Sequence, residues 1–137
     1  MTFAERERLV RASYAAWSAG DFDSLVAIYH RECEWDNSRL GLPDVPSISR
    51  GHAEMLEFWR TSVGAFGGTI HAEPLEIAEL PDDRVAVTGA WKAPGGERAG
   101  ALDAVAPFGQ IVEFRDGLIS RVEYFPDPDE ARTAGAR

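Results

Sequence analysis

Apolar residues in the first third of the chain recur every three or four positions, the spacing of one face of an amphipathic helix. Thr2 stands three residues before a glutamate, a capping-box pattern that begins the first predicted helix. The apolar face of this helix runs through Tyr14 and Trp17, and Gly20 is its expected end. Asp21 is then placed to cap a second, short helix.

The apolar spacing of the second helix extends to Tyr29. Beyond this helix, the stretch ECEWDN alternates charged and apolar side chains. This is the period of a strand with one buried face, which would carry Cys33, Trp35 and Asn37. An unpaired buried amide costs about 1–3 kcal/mol, so Asn37 needs a hydrogen-bond partner. It is either a structural amide that pairs with the backbone or a polar group in a pocket.

The remainder of the chain predicts one more helix and then a series of strands. Residues 38–49 contain two prolines and are predicted to form a long loop, and residues 51–66 return to helical spacing. Four strand-like segments follow, separated by turn sequences that include an Asp-Gly pair. The apolar parity changes on either side of Pro74, which predicts a bulge.

Helices first and hairpins later indicate an α+β fold rather than a parallel sheet. A strongly bent antiparallel sheet of four or five strands, wrapped around three helices, would enclose a conical cavity. The length suits a single domain over residues 1–137. The sequence PDPDEA can start a terminal helical turn, and the small, polar tail 131–137 is expected to fray.

Composition and charge narrow the possible partners. The net charge of −9 disfavours nucleic acid and anionic membranes, because their phosphates would be repelled. No apolar run approaches the ~20 residues that a membrane span needs. Cys33 is the single cysteine and cannot form an internal disulfide, so a reducing cytoplasm is the expected location. The three histidines show no metal-ligand spacing with one another or with Cys33, so no metal is expected. No other cofactor is expected either.

Three stretches carry a family resemblance, in the order YAAWSAGDFDSLVAIYHRECEWDN, GHAEMLEFW and PFGQIVEFRDGLISRVEYFPDPDEA. They resemble the opening, the third helix and the closing hairpin of SnoaL-like polyketide-cyclase domains, in the nuclear-transport-factor-2-like superfamily. The resemblance implies a cone-shaped α+β barrel, a pocket inside the cone and commonly a homodimer across the outer sheet face. It implies less about chemistry, because this fold hosts enzymes and non-enzymes alike.

The ketosteroid isomerases of this superfamily place their base carboxylate, by this resemblance, at Asn37. Their oxyanion-hole tyrosine falls on Ser13, one residue before Tyr14, and their protonated acid falls on Gln110. An amide cannot act as a general base at neutral pH, although it can donate a hydrogen bond to an oxyanion. The resemblance therefore disfavours isomerase chemistry of that type.

Two other enzyme types are matched in part. The limonene-epoxide-hydrolase type has an aromatic-x-Asn pair similar to Trp35-x-Asn37, but its Arg and Asp on a middle strand are missing from TGAW. Asp127 resembles the final acid of that type after one inserted residue. Polyketide cyclases carry a Gln-x-His mark on the long strand, and this chain matches the glutamine with Gln110 but has Val112 in place of the histidine.

Ten residues are therefore candidates for the site. The expected substrate-binding side chains are Tyr14, Trp17, Trp35, Asn37, Trp59, Trp91, Gln110 and Tyr124. The aromatic members of this set would equally fill a core. Asp103 and Asp127 are the candidate catalytic carboxylates. The strand parity of Asp103 points it outward, unless Pro107 marks a bulge that reverses the parity.

Two hypotheses from different classes remain open. The first is a cofactor-independent isomerase, cyclase or hydratase that acts on a small, apolar, oxygenated substrate. The alternative is a non-catalytic ligand-binding or dimerisation module with the same pocket. A carboxylate inside the cavity would favour the enzyme, whereas a cavity lined only by amides and rings would favour the binding module.

Overall fold

The structure, a computed structural model, describes residues 1–41, 46–65, 71–92 and 107–136. Its elements in chain order are α1 (Phe3–Ala19), α2 (Phe22–Ile28), β1 (Tyr29–Asp36), β2 (Ile48–Arg50), α3 (Gly51–Ala65), β3 (His71–Glu79), a 3₁₀ turn (Pro81–Asp83), β4 (Val85–Lys92), β5 (Pro107–Arg115), β6 (Leu118–Phe125) and α4 (Pro128–Gly135). The predicted α+β class is confirmed. None of the helices in these ranges combines the length and the apolar character that crossing a membrane requires.

The ends of the first two helices follow the local signals. Thr2 and Glu5 form the capping box, and Gly20 ends α1 in the left-handed conformation at φ 67°. Asp21 caps α2 by accepting a hydrogen bond of 3.2 Å from the Ser24 backbone N–H. The prediction that α2 includes Tyr29 is wrong, because the backbone is already extended there and the residue opens β1.

The sheet has six strands in the order β2-β1-β6-β5-β4-β3, and it is mixed rather than wholly antiparallel. β1 pairs with β6 in parallel, while the other neighbours are antiparallel. The short strand β2 lies within the segment predicted as a loop. It pairs Ser49 with Trp35, and the Asn37 N–H extends the pairing with a bond of 2.7 Å to the Ser47 carbonyl. Three residues are too few for a strand pattern to be visible in the sequence.

Two sequence signals for sheet shape are confirmed. The register of β3 against β4 shifts between Pro74 and Glu76, where the bulge was predicted. Asp116 and Gly117 have φ values of 56° and 77°, as the tight Asp-Gly hairpin turn between β5 and β6 requires.

The inner face of the sheet packs on α1, α2 and α3. The buried residues of this main core include Val10, Leu25, Met55, Val85, Val87, Val112, Ile119 and Val122. Because the apolar side chains alternate along the strands, the opposite face of β1 and β6 keeps its charged residues toward solvent.

Helix α4 covers part of the outer face, so the expected frayed tail is wrong for residues 131–135. Ala131 is 1% exposed and packs with Ile111 and Phe125, while Arg84 donates a hydrogen bond of 2.8 Å to the Gly135 carbonyl. The close approach depends on Gly109, where a Cβ would lie 2.6 Å from the Ala131 Cβ. The small side chains of this segment therefore allow α4 to pack closely on the sheet, so the segment is ordered.

Candidate functional site

A cavity lies between the helices and the inner face of the sheet. Its described lining residues are Ser13, Tyr14, Trp17, Tyr29, Trp35, Asn37, Leu40, Phe58, Ala72, Trp91, Phe108, Gln110 and Tyr124. The centres of water-sized molecules can occupy about 50 Å³ of this space. Each such molecule extends about 1.4 Å beyond its centre, so the cavity is much larger than a single water needs.

One wall of the cavity is a cluster of stacked rings. Trp17 from α1 stacks on Trp35 from β1 with 5.4 Å between ring centroids and 14° between planes. Tyr29 and Phe58 each lie 5.8 Å from the Trp35 ring in tilted contacts. These packed faces bury a large apolar area and hold the Trp35 ring in a fixed orientation.

A second set of lining rings lies on β4, β5 and β6. Phe108 lies between Trp91, at 4.8 Å, and Tyr124, at 5.5 Å. Gly89 makes this packing possible, since a Cβ there would lie 2.6 Å from Phe108 Cζ and 2.9 Å from the Tyr14 hydroxyl. A glycine in a central strand at this point therefore marks a close approach of two side chains.

Tyr14 and Gln110 form the polar centre of the cavity. The Tyr14 hydroxyl donates a hydrogen bond of 2.5 Å to Gln110 Oε1, which joins α1 to β5. Since the amide oxygen accepts from Tyr14, the NH₂ group is the part of Gln110 that is left to donate to a ligand. Burial raises the pKa of Tyr14 well above its usual value, and Tyr29 and Tyr124 add to the shift. The phenol therefore remains a neutral donor.

The other two tyrosines of the lining are also kept neutral. Burial raises the pKa of Tyr29, against the opposing effect of its 2.8 Å hydrogen bond with the Ser13 hydroxyl. Burial likewise raises the pKa of Tyr124, and a hydrogen bond with Trp91 opposes it. Among the described lining residues there is no Asp, Glu, His, Lys or Arg. The described part of the cavity thus offers hydrogen-bond donors and acceptors but no charge.

Asn37 has a different environment from Gln110. Its backbone is paired, since its N–H donates to the Ser47 carbonyl and its own carbonyl accepts from the Leu40 N–H at 2.9 Å. The residue is 5% exposed, and its side-chain Nδ2 has no hydrogen-bond partner among the described residues. The Trp35 Nε1 donor is buried and unpaired in the same way. The Asn37 amide N–H therefore does not serve to hold the local backbone.

A family model described as SnoaL-like domain matches residues 10–122, which is most of the chain. The chain belongs to the SnoaL-like domain family. No curated protein sequence matches it significantly.

Solved structures similar to this SnoaL-like domain share its fold. Bal32a, from a soil-derived mobile gene cassette, has a TM-score of 0.74 at 23% identity and covers 98% of each chain. TerC, co-crystallised with polyporic acid, has a TM-score of 0.68 at 24% identity, over 94% of this chain and 96% of its own. An NTF2-like protein of unknown function from Burkholderia pseudomallei has a TM-score of 0.66 at 21% identity over 100% of each chain. The expected NTF2-like cone fold is therefore confirmed.

The structure brings seven of the ten predicted site residues to the cavity of this SnoaL-like domain. They are Tyr14, Trp17, Trp35, Asn37, Trp91, Gln110 and Tyr124. Trp59 does not line it. Its ring packs against Phe22 at 4.6 Å, and its Nε1 donates to the Trp17 carbonyl at 3.3 Å.

Of the two candidate carboxylates, only Asp127 belongs to the described residues. Asp127 is exposed and lies at the N-terminus of α4, where Oδ1 accepts a hydrogen bond of 2.9 Å from the Asp129 N–H. This capping role, and its absence from the cavity lining, leave Asp127 without contact with the site. Asp103 lies outside the described residues. The described part of the domain also contains no group of three or more His, Cys, Asp or Glu residues that could hold a metal ion.

Several lining residues were not among the sequence candidates. Phe108 has the same strand parity as Gln110, so the signal for it was present. Phe58 stands three residues after the buried Met55, also within the helical spacing. The helical spacing of α2 extends to Tyr29 and so conceals the place of this residue on the inner face of β1. Leu40 lies in a turn, where no periodicity indicates direction.

We predict that Gly89→Ala will disturb the polar centre without unfolding the protein. The new Cβ would push the Phe108 ring and the Tyr14 hydroxyl away, and so lengthen the hydrogen bond to Gln110. Overpacking of this kind typically costs about 1–3 kcal/mol in the free energy of unfolding. The measurement is urea denaturation, together with the NMR signals of the Gln110 side-chain amide.

Thr88→Ser is the matched control, because it changes the neighbouring residue of β4 while keeping the hydroxyl that accepts from Arg132. It should leave the Gln110 amide signals in place. Unchanged amide signals in Gly89→Ala would show that Gly89 does not set the position of Tyr14.

Proposed function

We propose that this SnoaL-like domain binds a small, neutral molecule with a flat apolar body and at least one carbonyl-type oxygen. The observation that carries the proposal is the Tyr14–Gln110 hydrogen bond, in a cavity whose other lining residues are mostly aromatic rings. Binding sites for small molecules are typically apolar with a few placed polar groups, which is the composition of this lining.

The ring walls supply the affinity in this proposal. Two stacked pairs line the cavity, Trp17 with Trp35 and Trp91 with Phe108, and their surface is mainly apolar. Removal of apolar ligand surface from water contributes roughly 25 cal/mol for each Å². A flat body with about the area of one ring would gain several kcal/mol in this way.

The amide of Gln110 supplies orientation. Tyr14 accounts for the amide oxygen at 2.5 Å, so the NH₂ group is presented to a ligand oxygen. An ionised ligand would lose its hydration and meet no counter-charge among the described lining residues. The site therefore favours a neutral carbonyl over a carboxylate of the same shape. The TerC structure, co-crystallised with polyporic acid, supports small-molecule binding by this fold.

Three probes of nearly equal shape test the proposal: acetophenone, its apolar isostere isopropylbenzene and the charged benzoate. We expect Gln110→Leu to lower the affinity ratio of acetophenone to isopropylbenzene about threefold to tenfold, the value of one neutral hydrogen bond. We expect benzoate to bind on the order of tenfold or more weakly than acetophenone. Isothermal titration calorimetry measures the affinity of all three probes for the wild type and for Gln110→Leu.

Glu113→Gln is the control variant, because it lies on the same strand outside the cavity lining. It should leave the affinity ratio unchanged. The proposal is wrong if no ring-bearing probe binds, or if benzoate binds as tightly as acetophenone.

A catalytic role is the second candidate function, of isomerase, cyclase or hydratase type and without a cofactor. The free NH₂ donor of Gln110 favours it, because a donor placed at a carbonyl oxygen stabilises an enolate. Candidate polyketide cyclases and a candidate ketosteroid isomerase are among the similar structures. The described lining supplies no base, so the reaction would need a base outside the described residues, for which Asp103 is the candidate.

Proton exchange separates catalysis from binding. A base that removes a methyl proton from bound acetophenone gives an enolate, which takes up deuterium from D₂O. The catalytic hypothesis predicts exchange faster than in buffer, measured by loss of the methyl signal in proton NMR, and its loss in Asp103→Asn. Asp127→Asn, which alters only the cap of α4, should keep the exchange. Exchange at the buffer rate contradicts catalysis and leaves the binding role.

We also propose a homodimer formed across the outer sheet face and a cytoplasmic location. The family resemblance supports the interface. The face concerned is the outer side of β1, β5 and β6, where Arg121 forms ion pairs with Glu34, Asp36, Glu113 and Glu123. This face lies beside the part that α4 covers. The single cysteine, which cannot form an internal disulfide, supports the location.

A further inference from the structure

Helix α4 lies directly behind the part of the sheet that carries the polar centre of the cavity. Three residues form one row across the outer face, since Thr88 pairs with Gly109 and Gly109 pairs with Phe125. At one end of the row, Arg132 of α4 donates a hydrogen bond of 3.1 Å to the Thr88 hydroxyl. At the other end, Ala131 of α4 is buried in the same cluster as Phe125. One helix therefore holds three neighbouring strands at the same level.

The inner face carries the ligand-binding groups at the adjacent strand positions. Side chains alternate between the two faces of a strand, so the residue after Gly109 faces the cavity. This residue is Gln110, which pairs with Tyr124 on β6, and both line the cavity. The hydrogen bond between Gln110 and the Tyr14 hydroxyl joins β5 to α1 over 2.5 Å. A displacement of β5 at Gly109 would therefore move the Gln110 amide relative to its partner on α1.

The contact between α4 and β5 has no spare room. A Cβ at Gly109 would lie 2.6 Å from the Ala131 Cβ and 2.9 Å from the Pro128 Cα. Because the Pro128 Cα belongs to the helix backbone, no side-chain rotation relieves this contact. At its other end α4 is held by Arg84, which donates a hydrogen bond of 2.8 Å to the Gly135 carbonyl and so opposes an outward movement of the helix. A larger residue at the contact would therefore push β5 toward the cavity.

We propose that α4 positions the ligand-binding amide from behind the sheet, with Gly109 and Ala131 as the positioning residues. These two residues set the distance between the helix and β5, and that distance sets where the Gln110 NH₂ group meets a ligand oxygen. Neither of them lines the cavity, so both act through Gln110 rather than on the ligand. The inference rests on the proposed binding function, which by itself requires the Gln110 donor but not the helix behind it.

Gly109→Ala tests this positioning role. We expect it to lower the affinity ratio of acetophenone to isopropylbenzene about threefold, because the displaced amide loses part of one neutral hydrogen bond. Calorimetry measures the ratio, and the NMR signals of the Gln110 side-chain amide should shift even without a ligand. Ala131→Ser adds one atom to the same contact from the helix side. It should change the ratio and the amide signals in the same direction, and it serves if Gly109→Ala does not fold.

Gly135→Ala is the matched control. It makes the same substitution within α4, and its Cβ would lie 2.5 Å from Leu80 Cδ1, a contact as close as the one at Gly109. Leu80 does not line the cavity, so the added atom presses on the turn before β4 rather than on the strand that carries Gln110. Gly135→Ala should leave both the affinity ratio and the Gln110 amide signals at their wild-type values. Urea denaturation shows how far each variant disturbs the packing of α4 as a whole.

The outcomes distinguish the two proposals. An unchanged ratio and unchanged amide signals in Gly109→Ala would overturn the positioning role and leave the binding function standing. Equal changes in Gly109→Ala and Gly135→Ala would also overturn it, since α4 would then act only through the overall stability of the protein. If neither probe binds to the wild type, the binding function fails, and the amide signals alone decide whether α4 positions Gln110.

Discussion

The hydrogen bond from the Tyr14 hydroxyl to Gln110 Oε1 is the interaction on which the cavity depends. It joins α1 to β5 across 96 residues of sequence and fixes which half of the Gln110 amide is left for a ligand. Gly89 makes room for the hydroxyl, and the rings of Trp91, Phe108 and Tyr124 close the wall beside it. Without this bond, an amide and a phenol would both lie in an apolar space with unpaired groups.

The second constraint is the neutrality of the described lining. Burial raises the pKa of all three lining tyrosines, so they act as hydroxyl groups rather than as phenolates. The charged groups of the nearby strands lie on the other face, where Arg121 is surrounded by carboxylates. This separation of rings and amides from ions is why recognition of a neutral oxygenated ligand is the function that the geometry supports best.

Much of this arrangement could be predicted from local patterns. The capping residues, the parity of Asn37 and Gln110, and the bulge at Pro74 were all visible, because each depends on neighbours in sequence. The parallel pairing of β1 with β6 was not visible, since the two strands are distant in the chain and share no pattern. The start of α4 at PDPDEA was visible, but its continuation over residues 131–135 was not, because these small residues gain their burial from distant partners such as Ile111, Phe125 and Gly109. Asp127 then proved to be a helix cap.

A double-mutant cycle on acetophenone affinity, with Tyr14→Phe and Gln110→Leu, is the most direct test of the central claim that Tyr14 positions the Gln110 amide. Calorimetry would give the affinity of the wild type, both single variants and the double variant. We expect Tyr14→Phe to weaken binding about threefold in the wild type and to have no further effect beside Gln110→Leu, because Tyr14 acts through that amide. Additive losses would contradict the account, since Tyr14 and Gln110 would then contact the ligand independently.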